Sequence, residues 1–160
     1  MKKYRAALIT ASARASRGEY ADESGTVLAA GIAELGFEIF SQVILPDDKN
    51  LLSTEISRLL NEKVDLIVTT GGTGVSPTDI TPEATIAHIE KPLPGVSEAI
   101  RAYGREKTPH ADLSRGLAGV SGKTFIINLP GSPNGVRDGL AIIAKVVPHI
   151  LSQLAGEDHT

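Results

Sequence analysis

Apolar positions in this chain recur with two periods, and segments of each kind alternate. Compact apolar runs at Tyr4–Thr10, Phe37–Leu45, Val64–Thr70 and Phe125–Leu129 read as strands. Leu117–Val120 reads as a short partner of the last. Helical spacing fills the intervals. From Asp22 onward Val27, Leu28, Ile32 and Leu35 share a face that Gly36 ends, with Asp22 or Ser24 as the cap. Leu52, Ile56, Leu59 and Leu60 make a helix of Leu51–Leu60, and Pro94–Lys107 makes another. Thr81-Pro82 opens a helix with Thr81 at the cap and Pro82 at the first helical position. Gly135–Leu154 is the last helix, bent at Pro148. Ser12–Gly18 and Thr108–Gly119 read as loops, and Gly156–Thr160 as a frayed tail.

Strands alternating with helices of this length predict an α/β domain whose mainly parallel sheet is covered on both faces. No repeat, low-complexity stretch or linker divides residues 1–160, so a single domain is expected. In such sheets ligands sit beyond the carboxyl ends of the strands. Three loops leave strand ends: Pro46-Asp47-Asp48, Gly71–Asp79 and Pro130–Pro133. They are expected to meet at one rim.

Composition narrows the chemistry. The 160 residues contain no cysteine, which removes disulfides, thiolate metal sites and thiol nucleophiles. A net charge of −3 argues against a general nucleic-acid binder. No run approaches the ~18 apolar residues of a membrane span, and a cytoplasmic location is expected. Glycine is in excess, 16 residues or 10%, against a typical ~7%. Some loops therefore need backbone without side chains.

Several familiar patterns fail on spacing or context. Gly116–Thr124 resembles a phosphate-binding P-loop but has five residues between its outer glycines and runs into a strand. Gly72–Pro77 begins like a dinucleotide fingerprint but carries Pro77 for the third glycine. Gly131-Ser132-Pro133 lacks the flanking glycines of a nucleophile elbow. His88, His110, His149 and His159 have no zinc spacing.

What remains is Thr69-Thr70-Gly71-Gly72-Thr73-Gly74, a strand that empties into glycines interleaved with hydroxyls. Such backbone can turn successive N–H groups onto an anion, with Thr70 and Thr73 adding donors; it can equally be a plain turn. Asp79 reads as a helix cap or as a hard oxygen ligand for Mg²⁺ beside phosphate. Asp47 and Asp48 read as a turn signal or as a second carboxylate near that metal. Asn128–Pro133 is either a stiff connection or a place where Gly131 lets a ligand reach the backbone. Arg115, after Ser114, suits bidentate phosphate contact but is also an ordinary surface arginine. Glu98 and Arg101 are spaced for an ion pair on one helix face.

These blocks, in this order, resemble the MogA/MoaB family of molybdenum-cofactor biosynthesis, whose domain also occurs in gephyrin. The resemblance rests on Thr70-Gly-Gly-Thr-Gly74, Asp79-Ile-Thr-Pro-Glu-Ala-Thr85, Pro94-Gly-Val-Ser-Glu98, Ser114-Arg115 and Asn128-Leu-Pro-Gly-Ser-Pro133. Leu45-Pro-Asp47 and Asp22-Glu-Ser-Gly25 add to it, and together they cover about Tyr4–Leu154. It implies a three-layer α/β/α sandwich, assembly as a homotrimer or hexamer, and molybdopterin adenylyltransferase activity. In that reaction molybdopterin and MgATP give adenylylated molybdopterin and pyrophosphate, and a partner protein then inserts the metal. A non-catalytic molybdopterin-binding protein of the same pathway is the alternative, and a CinA-type nucleotide-processing domain a more distant one. By motif position Asp47 and Asp79 match the family's essential, Mg²⁺-holding carboxylates. Thr70, Gly71, Gly72, Thr73, Gly74, Ser114, Arg115, Pro130 and Gly131 match its ligand-binding segments. Thr78 stands where many relatives carry an arginine, which leaves one cation fewer.

Overall fold

The computed structural model describes residues 2–157. The end of the expected frayed tail, and His159 with it, lie outside those residues. Six strands form one sheet in the order β2-β1-β3-β6-β5-β4. They are β1 (Arg5–Ala11), β2 (Glu38–Leu45), β3 (Leu66–Thr70), β4 (Lys91–Pro92), β5 (Ala118–Ser121) and β6 (Thr124–Leu129). The first four in that order are parallel, and β5 and β4 close one side antiparallel.

Register brings the strand ends level. Ala11 faces Leu45, Thr10 faces Thr70, and Thr70 faces Leu129. The loops that follow β1, β2, β3 and β6 therefore leave from one rim, as the topology predicts.

The helices are α1 (Ala13–Ser16), α2 (Glu23–Glu34), α3 (Lys49–Asn61), α4 (Thr81–Thr85), α5 (Pro94–Arg105) and α6 (Pro133–Leu154). One core joins Leu28 and Ile32 of α2, Ile100 of α5 and Ile143 and Val147 of α6 to Leu8, Val68 and Ile127 of the sheet. The other joins Leu52, Ile56 and Leu59 of α3 and Ala84 of α4 to Ala7, Ile9, Ile67 and Ile126. Successive residues of each central strand alternate between these cores, which is why the strands read as unbroken apolar runs. The result is the expected α/β/α sandwich. Among the described residues no helix is long and apolar enough to cross a membrane.

Differences from expectation are local. Ser12–Gly18 holds the four-residue α1, capped by the Ser12 hydroxyl, which accepts from Ala15 N–H at 3.1 Å. A single turn is too short to show periodicity. β4 is two residues, one of them proline, which suits only a sheet edge and leaves no apolar signature. α6 begins at Pro133, two residues early, because Ser132 caps it and proline fits its first position. Ile80, not Thr81, occupies the cap position of α4; Thr81 is the first helical residue and donates its N–H to Gly72 O at 3.1 Å. Arg101 forms no pair with Glu98 and instead donates to Ser114 O at 3.2 Å.

Candidate functional site

The rim loops enclose a cleft of about 690 Å³. Asp47, Thr70, Gly71, Gly72, Asp79 and Gly131 line it, so three of the predicted loops do converge. The segment after β1 and the start of α2 complete it, with Arg14, Asp22 and Ser24 on its wall.

The local backbone explains the loop's composition. Gly71 and Gly72 have φ of +93° and +68°, the left-handed region that L side chains avoid. A Cβ on Gly71 would lie 2.3 Å from Ala11 O, and one on Gly72 would lie 2.3 Å from Thr81 Oγ1 and 3.3 Å from Asp47 Oδ1. Gly71 N–H belongs to the sheet, donating to Leu129 O at 3.1 Å. Gly72 and Gly74 N–H have no protein acceptor among the described residues. Thr70 Oγ1 ties this loop to its neighbour by donating to Pro130 O at 2.7 Å, and Ser24 Oγ donates to Gly131 O at 2.6 Å.

The carboxylates are held in place by backbone donors of their own or neighbouring loops. Asp47 Oδ2 accepts from Ala13 N–H at 3.2 Å, and Asp79 Oδ2 accepts from Ser76 N–H at 3.0 Å. Asp79 therefore folds its own loop rather than capping α4. Asp22 caps α2 through Gly25 N–H at 2.9 Å and accepts from Thr10 Oγ1 at 2.7 Å. Four carboxylates, Asp22, Glu23, Asp47 and Asp79, against Arg14, itself paired with Glu19, give the cleft negative fixed charge. A polyphosphate fits such a cleft only when it arrives with a cation.

Mg²⁺ suits these donors. It takes one or two carboxylates and completes its shell with phosphate and water. Thr81 Oγ1 is buried and without a hydrogen-bond partner, and it flanks the same Gly72 cradle as Asp47 Oδ1. An orphaned buried hydroxyl is costly unless a ligand meets it. No cluster of three or more His, Cys, Asp or Glu able to hold a metal exists among the described residues, so phosphate oxygens would have to share the coordination.

The remaining predicted residues stand behind this cleft. Arg115 clamps the glycine loop: Nε donates to Gly74 O at 2.8 Å, one terminal nitrogen to Asp79 O at 3.1 Å and the other to Glu83 Oε1 at 2.5 Å. Its N–H donates to Thr73 O at 2.8 Å, and Ser114 Oγ donates to Thr73 Oγ1 at 3.3 Å. The Arg115 hydrogen bond holds the Glu83 carboxyl below the ordinary range despite some opposing burial. Thr73 and Gly74 therefore sit between the cleft and this clamp. Ser114 and Pro130 face a second pocket, about 350 Å³, between α5 and α6.

Asp22, Ser24 and Thr81 were not singled out as site residues by the sequence reading. The signal for Asp22 and Ser24 was available, because the loop after the first strand must open on the same rim.

A family profile described as a probable molybdopterin binding domain matches residues 7–149. A molybdopterin adenylyltransferase of Helicobacter pylori is 38% identical over 152 residues, 93% of this chain and 86% of that protein. A molybdenum cofactor biosynthesis bifunctional protein of Chlorobaculum tepidum is 32% identical over 97% of this chain and 50% of its own length. The structure of the molybdopterin biosynthesis Mog protein from Mycobacterium ulcerans superposes with a TM-score of 0.92. It is 44% identical and covers 98% of this chain and 100% of that one.

Proposed function

The chain belongs to the MogA/MoaB family of molybdopterin-binding domains, and from that premise we propose that it is a molybdopterin adenylyltransferase. The observation that carries the reading is the Gly72 cradle, where a buried unpartnered hydroxyl, a carboxylate oxygen and unbonded backbone N–H groups meet at one rim.

In the proposed reaction the terminal phosphate of molybdopterin attacks the α-phosphorus of ATP. A new P–O bond forms, the bond to the bridging oxygen breaks, and pyrophosphate leaves with the electron pair. Gly72 and Gly74 N–H donate to phosphate oxygens. Asp47, Asp79 and Thr81 Oγ1 would hold Mg²⁺, which supplies charge neutralisation on the departing pyrophosphate. Thr70 and Arg115 act at one remove, keeping the two loops in register. Catalysis is then positioning and electrostatics, and no protein nucleophile is required.

The same reading extends to the protein's setting. It acts as one cytoplasmic domain without nucleic-acid or membrane partners. Val75, Ile86 and Leu113 are apolar and more than half exposed, which supports a homotrimer or hexamer. The half-length match to a bifunctional relative supports hand-over to a metal-insertion partner. Light scattering after gel filtration tests the assembly; a clean monomer would count against it. For the activity, purified protein is given molybdopterin and MgATP and pyrophosphate is measured. Stoichiometric release supports the reading, whereas tight molybdopterin binding without release overturns it in favour of a pterin-binding protein.

A further inference from the structure

Arg14 is the one Lys, Arg or His among the described residues that line the rim cleft. It stands there against the carboxylates of Asp22, Glu23, Asp47 and Asp79. Its side chain is 70% exposed, and its charge is committed to a residue that does not line the cleft: Nε donates to Glu19 Oε2 at 3.2 Å. An exposed ion pair of this kind is weak, so little is lost when it opens. Its chain neighbour Ala13 donates its N–H to Asp47 Oδ2. Arg14 therefore follows directly on the residue that fixes the carboxylate proposed to hold Mg²⁺ at the departing pyrophosphate.

The surrounding segment lets Arg14 leave Glu19 at low cost. Arg17 Nε donates to Glu19 Oε1 at 2.9 Å, so the carboxylate keeps a partner. The Arg17 hydrogen bond is the largest of the effects that hold the Glu19 carboxyl below its ordinary range, and Arg14 contributes less. The Arg14 guanidinium lies over the Tyr20 ring, 5.2 Å from its centroid. Such a contact attracts a cation without fixing the direction of its N–H groups. Tyr20, which also lines the cleft, is itself held: its hydroxyl shares a 2.8 Å hydrogen bond with Ser12 Oγ. Glu19 N–H donates to Arg14 O at 3.0 Å, which closes the segment on itself. Backbone and ring thus stay in place while the guanidinium changes partner.

Building on the adenylyltransferase reading, we propose that Arg14 is the phosphate-binding arginine of the rim cleft, exchanging Glu19 for the outer phosphates of MgATP. A guanidinium suits that task, because its fork presents parallel N–H donors to phosphate oxygens. Arg14 is then a residue that touches substrate. Glu19 is a positioning residue that holds the guanidinium beside the cleft until phosphate competes for it.

The test is isothermal titration of the full chain with MgATP and, separately, with AMP. Arg14→Gln should weaken MgATP binding about tenfold or more, the loss expected for a hydrogen bond between charged groups. AMP binding should be unchanged, because AMP lacks the outer phosphates. Glu19→Gln should tighten MgATP binding about twofold to fivefold, since Arg14 then leaves no ion pair behind. That gain should vanish in the double variant, which separates release of Arg14 from simple removal of a negative charge near the cleft. Both side chains are exposed, so the variants should melt close to the parent. Unchanged MgATP affinity in Arg14→Gln, or equal weakening of MgATP and AMP, overturns the proposal. So does a Glu19→Gln variant without a gain, a gain that survives in the double variant, or a parent chain that does not bind MgATP. The titration contains no molybdopterin and reads no pyrophosphate. ATP binding without turnover would therefore sink the activity and leave this proposal standing.

Discussion

The rim cleft and the α5–α6 pocket share the Pro130–Pro133 turn but are built by different means. The cleft is made from strand-end loops, and its donors are largely backbone N–H groups. Its carboxylates are fixed by hydrogen bonds from their own or neighbouring loops. It stands on β1, β3 and β6, whose central residues are completely buried. The pocket is made from α5, α6 and the turns beside them, and its one carboxylate is held by a solvent-facing lysine. A site that must place charge to fractions of an ångström gains from a rigid sheet. Changes on the cleft side are therefore expected to cost turnover, and changes on the pocket side to act mainly on stability.

The largest effect tests the cleft. Asp79→Ala removes a proposed Mg²⁺ ligand and should lower adenylyl transfer by about 10²–10³-fold, the range for removal of one transition-state stabilising group. The chain should still fold. Unaltered pyrophosphate release would remove Asp79 from the mechanism.

A pair of glycine substitutions separates the two construction principles. Gly72→Ala forces a side chain into left-handed backbone, which costs about 1–2 kcal/mol, and drives a methyl group against Thr81 Oγ1. In a domain of this size each kcal/mol moves Tm by roughly 2–4 °C, and the new methyl also fills the cradle, so turnover should collapse. Gly104→Ala sits in helical backbone and meets the Ala111 methyl at 2.9 Å. Alanine is the better helix former, so its melting change should be smaller and turnover should stay close to that of the parent. An equal loss of turnover from the two variants would mean that the two cavities are not separable.

A milder test concerns Arg115. Its three guanidinium bonds hold Gly74, Asp79 and Glu83 together, and a lysine offers a point charge in place of that fork. Arg115→Lys should raise KM for ATP about tenfold, as expected for loss of one or two charge-assisted bonds. An unchanged KM would mean that the clamp does not set the phosphate-binding loop.

The two regions also differ in how readily sequence reveals them. Asp47, Gly71, Gly72, Asp79 and Gly131 interrupt apolar strands, so each is visible as punctuation, and parallel topology places all of them on one rim. Asp22 and Thr81 were hidden by a second role. Asp22 does cap α2, and Thr81 has the sequence signature of a cap for α4 although Ile80 takes that position, so each carries a local reading that draws attention from the site. Asp138 and Lys107 are harder still. They look like polar positions on helices, and only the packing of α5 on α6 brings them together across 31 residues. The Arg115 clamp spans 41 residues to Gly74. Buried strands and amphipathic helices announce themselves through periodicity, whereas contacts of that sequence separation exist only once the core has formed.

The smallest expected effect is a difference in how each region responds to pH. Glu83 is depressed by the Arg115 hydrogen bond, so its pairing contributes fully above the ordinary glutamate value of about 4.3. As pH falls, the unfolded chain takes up that proton first, and the contribution disappears through the lower folded value. Lys107 is raised by the Asp138 hydrogen bond. Its contribution is complete below the ordinary lysine value of about 10.4 and is lost as pH rises through the higher folded value. Glu83→Gln should therefore lower Tm near neutrality and match the parent as the solution becomes strongly acidic. Lys107→Met should lower Tm near neutrality and match the parent as it becomes strongly alkaline. Both pairs are well exposed to water, so each difference should be on the order of 1 °C. Melting curves across pH check this directly. If Glu83→Gln still lags the parent in strong acid, or Lys107→Met in strong alkali, then each side chain supports its cavity by packing and not by charge.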